Sequence, residues 1–222
     1  FVYDADLTKN NSGTQNRAIN IINYLKTLNY SIDQFFPTIN KKKRKGNDKI
    51  DNIFYKDIKF RSFVKLYYKI KSLITYKKED RIILYNAFSK NYRLESIANY
   101  FAKITENNYN FIIFINSNFA HLVDKIKNKN SKKILLMDDV VFNQFKDKTQ
   151  DTPLIDYLEK VKDKETEYLN KFDKIIGISE SEINIFKTTN NKDKFIHLPV
   201  FMDSKNILKK DKYTYDIIYV AS

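Results

Sequence analysis

The chain has 222 residues, of which 40 are basic and 27 acidic, and its formal net charge is +13. This length suits one large domain or two small ones. The absence of cysteine excludes disulfides, thiolate metal sites and cysteine nucleophiles, and the two histidines, His121 and His197, give no sign of a zinc site.

The basic residues are 35 lysines and five arginines. Proteins that read nucleic acid favour arginine for its bidentate contacts with phosphate and guanine, so a lysine excess argues against a nucleic-acid partner. The sequence contains no run of about 18 apolar residues and therefore predicts no membrane-spanning helix.

Short apolar segments alternate with helical patterns along nearly the whole chain. The predicted strands are residues 1–3, 32–36, 82–85, 111–115, 134–137, 175–178 and 195–198. Most of them are continuous apolar runs, which are typical of parallel strands covered on both faces. The alternation therefore predicts an α/β fold with a doubly wound parallel sheet of about seven strands.

The first predicted helix carries one apolar stripe over residues 18–28, and Ser12 with Gln15 predicts a capping box at its start. A second stripe covers residues 94–101.

Residues 58–78, which lie between these two helices, contain seven basic residues and no acidic one, with apolar residues at helical spacing. Such a helix can lie on an anionic membrane surface, to which the basic run 41–45 would add attraction. A helix packed on the sheet behind a charged loop would have the same pattern, and the sequence leaves both interpretations open.

Two more helices carry clear start signals. One begins near Thr152, with Pro153 in the first position, and runs to about Phe172. Ser179 and Glu182 predict the cap of the other, directly after a strand. A polar, lysine-rich stretch then leads to one more strand pattern, so we expect a domain at 1–200 and, at 201–222, a linker with the first strand of a truncated second domain.

Candidate binding residues follow the first strand. Ser12, Gly13 and Thr14 open a helix that contains Arg17, and the N-terminus of a helix favours an anion. The three spaced glycines of a dinucleotide site and the Gly-Lys-Ser/Thr of a phosphate loop are both missing. A role limited to capping and turning would explain Ser12 and Gly13 equally well.

Polar residues also follow two later strands. Asn116 and Ser117 follow the predicted strand 111–115, and Asp138 and Asp139 follow the predicted strand 134–137. Ligands of open parallel sheets bind beyond the carboxyl ends of the strands, so we expect these residues to face one crevice. Adjacent acids there could orient or deprotonate a hydroxyl, although a helix cap or solvated loop is the simpler alternative.

Several segments match one enzyme family in order and spacing. They are the Ser12-Gly13 turn with Arg17, the strand end at 136–140, the strand and helix of 172–182, and the segments 197–200 and 215–222. Together they resemble the N-terminal half of GT-B glycosyltransferases, most closely the retaining family 4 type. The family's paired glycines are here Ser12-Gly13, and its histidine is matched by Asp138.

The resemblance implies a Rossmann-like domain that binds the acceptor and a C-terminal domain that binds most of the nucleotide sugar. The implied enzyme transfers a sugar from a nucleotide-sugar donor to a glycan or lipid-linked acceptor in surface polysaccharide or glycoconjugate synthesis. It would need no metal or other cofactor and would work in the cytoplasm, with the inner face of the membrane left open as a location. The fragment alone should be nearly inactive, because transfer requires both walls of the cleft.

The resemblance also assigns roles to residues. Asp138 would orient the acceptor hydroxyl or accept its proton, and Asp139 would fix the loop. The remaining candidates would bind the substrates through hydrogen-bond donors or charge. They are Ser12, Gly13, Thr14, Arg17, Asn116, Ser117 and, at the rim of the cleft, Ser179. The alternative is a non-catalytic basic module that binds an anionic glycan, a membrane surface or nucleic acid.

Overall fold

The computed structural model describes residues 1–3, 12–36, 49–55, 95–138 and 152–199, and the single positions 7, 66, 70, 74 and 140. Helices of this part of the chain are α1 (Gly13–Thr27), α2 (Glu95–Ile104), α3 (Thr152–Leu169) and α4 (Glu180–Phe186), with 3₁₀ helices at Ser117–Lys125 and Lys192–Lys194. Its strands are β1 (Asp33–Phe36), β2 (Asn52–Tyr55), β3 (Phe111–Ile115), β4 (Lys132–Met137), β5 (Lys174–Gly177) and β6 (Phe195–His197).

All described strand pairings are parallel. β1 pairs with β2 in a two-stranded sheet, and β3, β4, β5 and β6 form a four-stranded sheet in that order. The first residues lie between the two, because Val2 forms bridges with both Phe35 and Phe114. Its backbone N–H donates to the Ile113 carbonyl at 2.8 Å. The predicted α/β class with parallel strands is confirmed.

The strand count differs from the prediction of about seven. β1, β3, β4, β5 and β6 match predicted strands within two residues, but the first predicted strand is a single bridge at Val2. The predicted strand at 82–85 lies outside the described residues. β2 was not predicted, because its apolar run, Ile53 to Tyr55, is short and is flanked by polar residues, and Ile53 and Phe54 are only half-buried.

Helices cover both faces of the four-stranded sheet. Successive residues of a strand point to opposite faces, so Phe114 and Leu135 belong to one hydrophobic cluster whereas Ile113 and Leu136 belong to the other. α1 covers the second cluster through the fully buried Ile22. The first cluster is covered by α2, α3, α4 and the long 3₁₀ helix, which contribute among others Phe101, Leu169, Ile183 and Leu122.

The predicted helix starts are confirmed. Ser12 caps α1, where its Oγ accepts a hydrogen bond from the Gln15 N–H at 3.2 Å, and Ser179 caps α4 in the same way. α3 begins at Thr152 as predicted and ends at Leu169, short of Phe172. These caps stabilise the helix ends that lie nearest to the candidate binding residues.

α1 ends in a Schellman motif built on asparagine. Asn29 has a φ of 61°. The N–H of Tyr30 donates to the Leu25 carbonyl at 3.1 Å, and the N–H of Asn29 donates to the Lys26 carbonyl at 3.0 Å. Asparagine tolerates this left-handed conformation better than most residues. The motif turns the chain from α1 into β1.

Gly177 allows α4 to approach the end of β5. A Cβ at this position would lie 2.7 Å from Ile183 Cγ1 and 3.0 Å from Ile183 Cδ1, closer than real Cβ contacts. Glycine is therefore the residue that lets α4 start immediately beyond the strand. This close packing places Ser179 at the carboxyl edge of the sheet.

The expected second domain at 201–222 and nearly all of the basic segment 58–78 lie outside the described residues. Within the described part of the chain, every helix is too short or too polar to cross a membrane.

Candidate functional site at the carboxyl edge of the sheet

The parallel topology brings the predicted site residues to one edge. Asn116 and Ser117 follow β3, Asp138 follows β4, and Ser179 follows β5. Parallel strands end on the same side, so these residues share the carboxyl edge. Arg17 joins them from the second turn of α1.

Arg17 and Asp138 form a buried ion pair at this edge. Arg17 Nη1 lies 2.5 Å from Asp138 Oδ1, and the two side chains are only 7% and 8% exposed. Nη2 of Arg17 donates to the Ile176 carbonyl of β5 at 3.3 Å. One guanidinium therefore connects α1 to the ends of two strands that are far apart in sequence.

Two buried oxygens of the edge have no hydrogen-bond partner among the described residues. They are Asp138 Oδ2 and Ser117 Oγ, and both residues are more than nine-tenths buried. Most buried polar groups in proteins are paired, and an unpaired one costs about 1–3 kcal/mol. Both atoms are fully covered in this structure, so a ligand hydroxyl or a water molecule pairs with them only after neighbouring groups move.

Asn116 carries the second unusual backbone conformation of the described chain. Its φ is 78°, and its N–H donates to the Leu136 carbonyl at 2.9 Å. Asparagine adopts this region more readily than other non-glycine residues, as it does at Asn29. The turn at Asn116 directs the chain from β3 into the 3₁₀ helix that begins at Ser117.

The N-terminus of α1 offers backbone donors. The Ser12 side chain is occupied by its cap, in which Oγ also donates to Gln15 Oε1 at 3.2 Å. The predicted capping role of Ser12 is thus confirmed. A Cβ on Gly13 would meet no atom within 4 Å, so packing does not require glycine there; Gly13 is exposed and Thr14 is half-buried at the helix start, where backbone N–H groups lack partners within the helix.

Ser179 and His197 occupy the far side of the edge. Ser179 Oγ forms a hydrogen bond with Ser181 Oγ at 2.8 Å, and His197 Nε2 lies 3.1 Å from the Ile178 carbonyl. His197 is exposed, although it lies in the predicted strand 195–198, which we expected to be covered on both faces; this expectation is wrong. The reason is that β6 is the last strand of the described sheet, where Ile196 is exposed as well.

The structure thus brings some candidates together and leaves others apart. Arg17 and Asp138 are in direct contact, whereas Ser179 belongs to the cap of another helix. Asp139 lies outside the described residues. Sequence reasoning missed the Arg17–Asp138 contact, although an arginine one turn before the apolar Ile21 on the sheet-facing side of a helix is a signal that it needs an acidic partner.

This edge can bind a hydroxyl-bearing, anionic molecule. Asp138 Oδ2 can accept a hydrogen bond from a hydroxyl, Ser117 Oγ can donate and accept, and the start of α1 favours negative charge. No group of three or more His, Asp or Glu side chains that could hold a metal occurs among the described residues.

Comparison with protein-family models, with curated proteins and with solved structures gives no match for this chain.

Proposed function

We propose that this chain is the N-terminal, acceptor-side domain of a GT-B glycosyltransferase. The enzyme would transfer a sugar from a nucleotide-sugar donor to a glycan or lipid-linked acceptor in polysaccharide or glycoconjugate synthesis. The proposal rests on the resemblance of the motifs. It is supported by the parallel α/β architecture and by the grouping of polar residues at the carboxyl edge.

The observation that carries most weight is the second oxygen of Asp138. Arg17 holds Oδ1 in a buried ion pair, while Oδ2 is buried with no partner among the described residues. A carboxylate held in this way is oriented to accept a hydrogen bond from a hydroxyl once the groups that cover Oδ2 move aside. We assign Asp138 to orienting the acceptor hydroxyl or accepting its proton, with Asp139 fixing the loop.

The other candidates would bind the substrates. Ser117 Oγ would contact the same hydroxyl-bearing ligand as Asp138, with Asn116 shaping the turn. The N–H groups of Gly13 and Thr14 would donate to donor phosphates or to the acceptor. Arg17 would act as a positioning residue, since its guanidinium contacts Asp138 and the Ile176 carbonyl.

The proposed domain has one continuous sheet that includes an additional strand near the start of the chain. The bridges of Val2 to β1 and β3 support one Rossmann-like sheet in which residues 1–3 form the central strand. Residues 1–200 would form this domain, and residues 201–222 would be the linker and first strand of a donor-binding domain. The cleft between the two domains would be the site of transfer, without a metal cofactor.

Turnover by the protein that carries both domains tests the proposal. The assay measures nucleotide released from UDP-glucose, UDP-N-acetylglucosamine and GDP-mannose, with water or added glucosides as acceptor. Loss of a proton-accepting or orienting carboxylate in Asp138→Asn should slow release by about a hundredfold or more. Asp124→Asn is the matched control, because Asp124 is exposed and pairs with Lys171 away from the edge.

A second variant covers the case in which Asp138→Asn fails to fold. Ser117→Ala removes a buried hydroxyl that has no partner among the described residues, so it should leave stability unchanged or raise it. It should still slow release by about fivefold, the value of one hydrogen bond to the ligand. Release at the normal rate in both variants would refute the roles of these residues.

No release from any donor would refute the enzyme itself. Binding of an anionic polysaccharide such as heparin without turnover would then favour the alternative, a basic binding module. The two classes are thus separated by one assay and one binding measurement.

We also propose an anionic membrane surface as a partner. In the basic segment 58–78, the described positions Leu66, Ile70 and Ile74 are helical and one turn apart, and they are 51%, 49% and 81% exposed. This apolar ridge among lysines has the character of a helix that lies on anionic lipid.

Vesicle sedimentation tests the membrane proposal. Binding should appear on phosphatidylcholine mixed with phosphatidylglycerol and should be weak on phosphatidylcholine alone. Ile70→Ser with Ile74→Ser should reduce it, whereas Ile196→Ser, a similarly exposed isoleucine on β6, should not. Equal binding to both kinds of vesicle would refute the proposal.

A further inference from the structure

A cavity of about 300 Å³ opens at the amino edge of the sheet, opposite the Arg17–Asp138 pair. It lies where β1 and β3 begin and where α1 and α2 end. Its apolar wall is formed among others by Leu25, Phe35, Phe54, Phe101, Ile104 and Ile112. The volume lies at the lower end of the range for ligand pockets, about 300–1,000 Å³.

The apolar wall is rigid and aromatic. The rings of Phe35 and Phe101 lie 5.0 Å apart, and both residues are almost fully buried. Ile112 in β3 belongs to the same hydrophobic cluster. This apolar part of the cavity can bind hydrocarbon groups, whereas Ser31, Asp33 and Thr105 make another part of its lining polar.

A polar groove of about 690 Å³ continues from this cavity. The two spaces share Tyr30 and residues 108–111, and the groove is further lined by Asn128, Asn130 and Lys132. Tyr30 and Phe111 pack edge to face with ring centroids 6.0 Å apart, and they are 38% and 41% exposed. Asn128 is bonded within the groove, since its Nδ2 donates to the Asn107 carbonyl and to Asn108 Oδ1 and its Oδ1 accepts from the Asn130 N–H. The amides of Asn110 and Asn130 can donate to and accept from hydroxyl groups, and the exposed ammonium of Lys132 can donate to them.

The carboxylate of Asp33, which lines the cavity, already accepts two hydrogen bonds from other side chains. Asp33 Oδ2 accepts a hydrogen bond from Tyr109 Oη at 2.8 Å, and Oδ1 accepts one from Asn52 Nδ2 at 2.9 Å. Burial and the Asp33 hydrogen bond raise the pKa of Tyr109 to about 12, so the phenol is uncharged at neutral pH.

We propose that the cavity and the groove form one binding site for an amphiphile that joins a short hydrocarbon chain to a neutral polyol head. The chain enters the apolar cavity, and the head lies among the asparagines against the Tyr30–Phe111 pair. The site is separate from the one proposed for sugar transfer and does not depend on it, because it lies at the opposite edge of the sheet.

A series of alkyl glucosides tests the site on the 222-residue chain. Methyl, butyl and hexyl glucoside are titrated while backbone amide shifts are followed by nuclear magnetic resonance. Each methylene should tighten binding by about fourfold until the cavity is full. The shifts should fall at residues 30–33 and 104–112. Glucose alone and hexanoate, which lacks the neutral head, should bind more weakly than hexyl glucoside.

Two tryptophan variants of α1 form a matched pair. Leu25 lines the cavity, whereas Leu28 is 51% exposed and lies outside its lining. Leu25→Trp should fill the cavity and weaken hexyl glucoside binding by about tenfold or more, since burial of more than one methylene is lost. Leu28→Trp should bind like the unchanged protein.

The positions of the amide chemical-shift changes in the unchanged protein test the proposed site even if Leu25→Trp does not fold. Affinity that is independent of alkyl length would overturn the proposal. Shifts at Asn116 and Asp138 instead of the amino edge would do the same, since the glucoside would then occupy the carboxyl edge. Equal affinity for hexanoate would refute the neutral head.

Discussion

Two ion pairs of this protein show how burial changes the contribution of a charged residue to the free energy of unfolding. Arg17 and Asp138 meet with both side chains more than nine-tenths buried, whereas Lys26 and Asp51 are 27% and 40% exposed. Water and salt weaken the exposed pair. Removing one partner of the buried pair leaves a charge with neither water nor counter-charge.

Asp138→Ala should therefore lower the free energy of unfolding by about 3–5 kcal/mol, whereas Lys26→Met should lower it by about 1 kcal/mol or less. Urea titration measures both. Replacing the pair together, as Arg17→Met with Asp138→Leu, should restore much of the loss, because no buried charge is left unpaired. Equal costs for the two single variants would mean that the Arg17–Asp138 pair is hydrated in solution.

Asp51 gives a prediction about pH. Hydrogen bonds from Lys26 Nζ at 2.7 Å, the Ile32 N–H at 2.5 Å and Ser31 Oγ at 3.0 Å lower its pKa from 3.8 to about 2. A lowered pKa in the folded state means that this stabilisation is present above 3.8 and is lost as the pH falls towards 2.

Over that interval, the free energy of unfolding of the unchanged protein should fall more steeply with decreasing pH than that of Asp51→Asn. Urea titrations at several pH values give the two slopes. Parallel slopes would show that the Asp51 carboxylate is not held by these donors. The comparison uses slopes and is therefore independent of any fixed cost of the substitution.

At the scale of helices and strands, the glycines Gly13 and Gly177 have different roles. Gly177 lies beneath α4, with Ile183 Cγ1 2.7 Å from the position of a Cβ, whereas Gly13 at the start of α1 has no atom within 4 Å of that position. The first glycine is a packing requirement. The second leaves space in front of a helix N-terminus.

Gly177→Ala should accordingly destabilise the protein by about 1–3 kcal/mol through overpacking, and Gly13→Ala should change stability by no more than about 0.5 kcal/mol. Thermal or urea unfolding measures both. Ile183→Ala in the Gly177→Ala background should cost less than the two single changes added together, because it removes the clashing Cγ1. If the costs of the two single changes simply added, the strain in Gly177→Ala would not come from contact with Ile183.

The elements also show what a sequence can and cannot reveal. The caps at Ser12 and Ser179 and the buried strands β3, β4 and β5 were predictable, because each depends on residues close together in the chain. β2 was not, since an edge strand with half-buried Ile53 and Phe54 has no distinct pattern. His197 was misplaced for the same reason, because burial in an edge strand depends on neighbours that the local sequence does not specify.

At the scale of the whole molecule, the order of strands determines which parts are most protected. β3 and β4 have neighbours on both sides and carry Phe114 and Leu135, both completely buried. β6 is the last strand of the described sheet and has one described partner. Segments with more buried contacts open more rarely.

Amide hydrogen exchange should therefore be slowest in β3 and β4 and faster in β2 and β6. Mass spectrometry of peptic fragments can follow this exchange. Equal protection of β6 and β3 would indicate that another element covers the outer edge of β6. The experiment needs no ligand and no assumption about function.

The candidate site was predictable in its location and only partly in its contacts. The carboxyl ends of parallel strands identified Asn116, Ser117 and Asp138 from sequence alone. The pairing of Asp138 with Arg17 was not predictable, because the two residues are separated by 121 positions and the contact depends on how α1 lies on the sheet. Likewise, the cavity at the amino edge arises from ends of helices and strands that share no sequence motif.

The solitary oxygens Asp138 Oδ2 and Ser117 Oγ have a consequence for selectivity. A molecule that places a methylene against them would keep both atoms dehydrated and unbonded, whereas one that presents a hydroxyl relieves that penalty. Relief of one such penalty, about 1–3 kcal/mol, corresponds to a preference of about 5- to 150-fold for the molecule that carries the hydroxyl. Under the proposed function, removal of that hydroxyl from the acceptor sugar should therefore weaken binding more than the loss of an equally large apolar group.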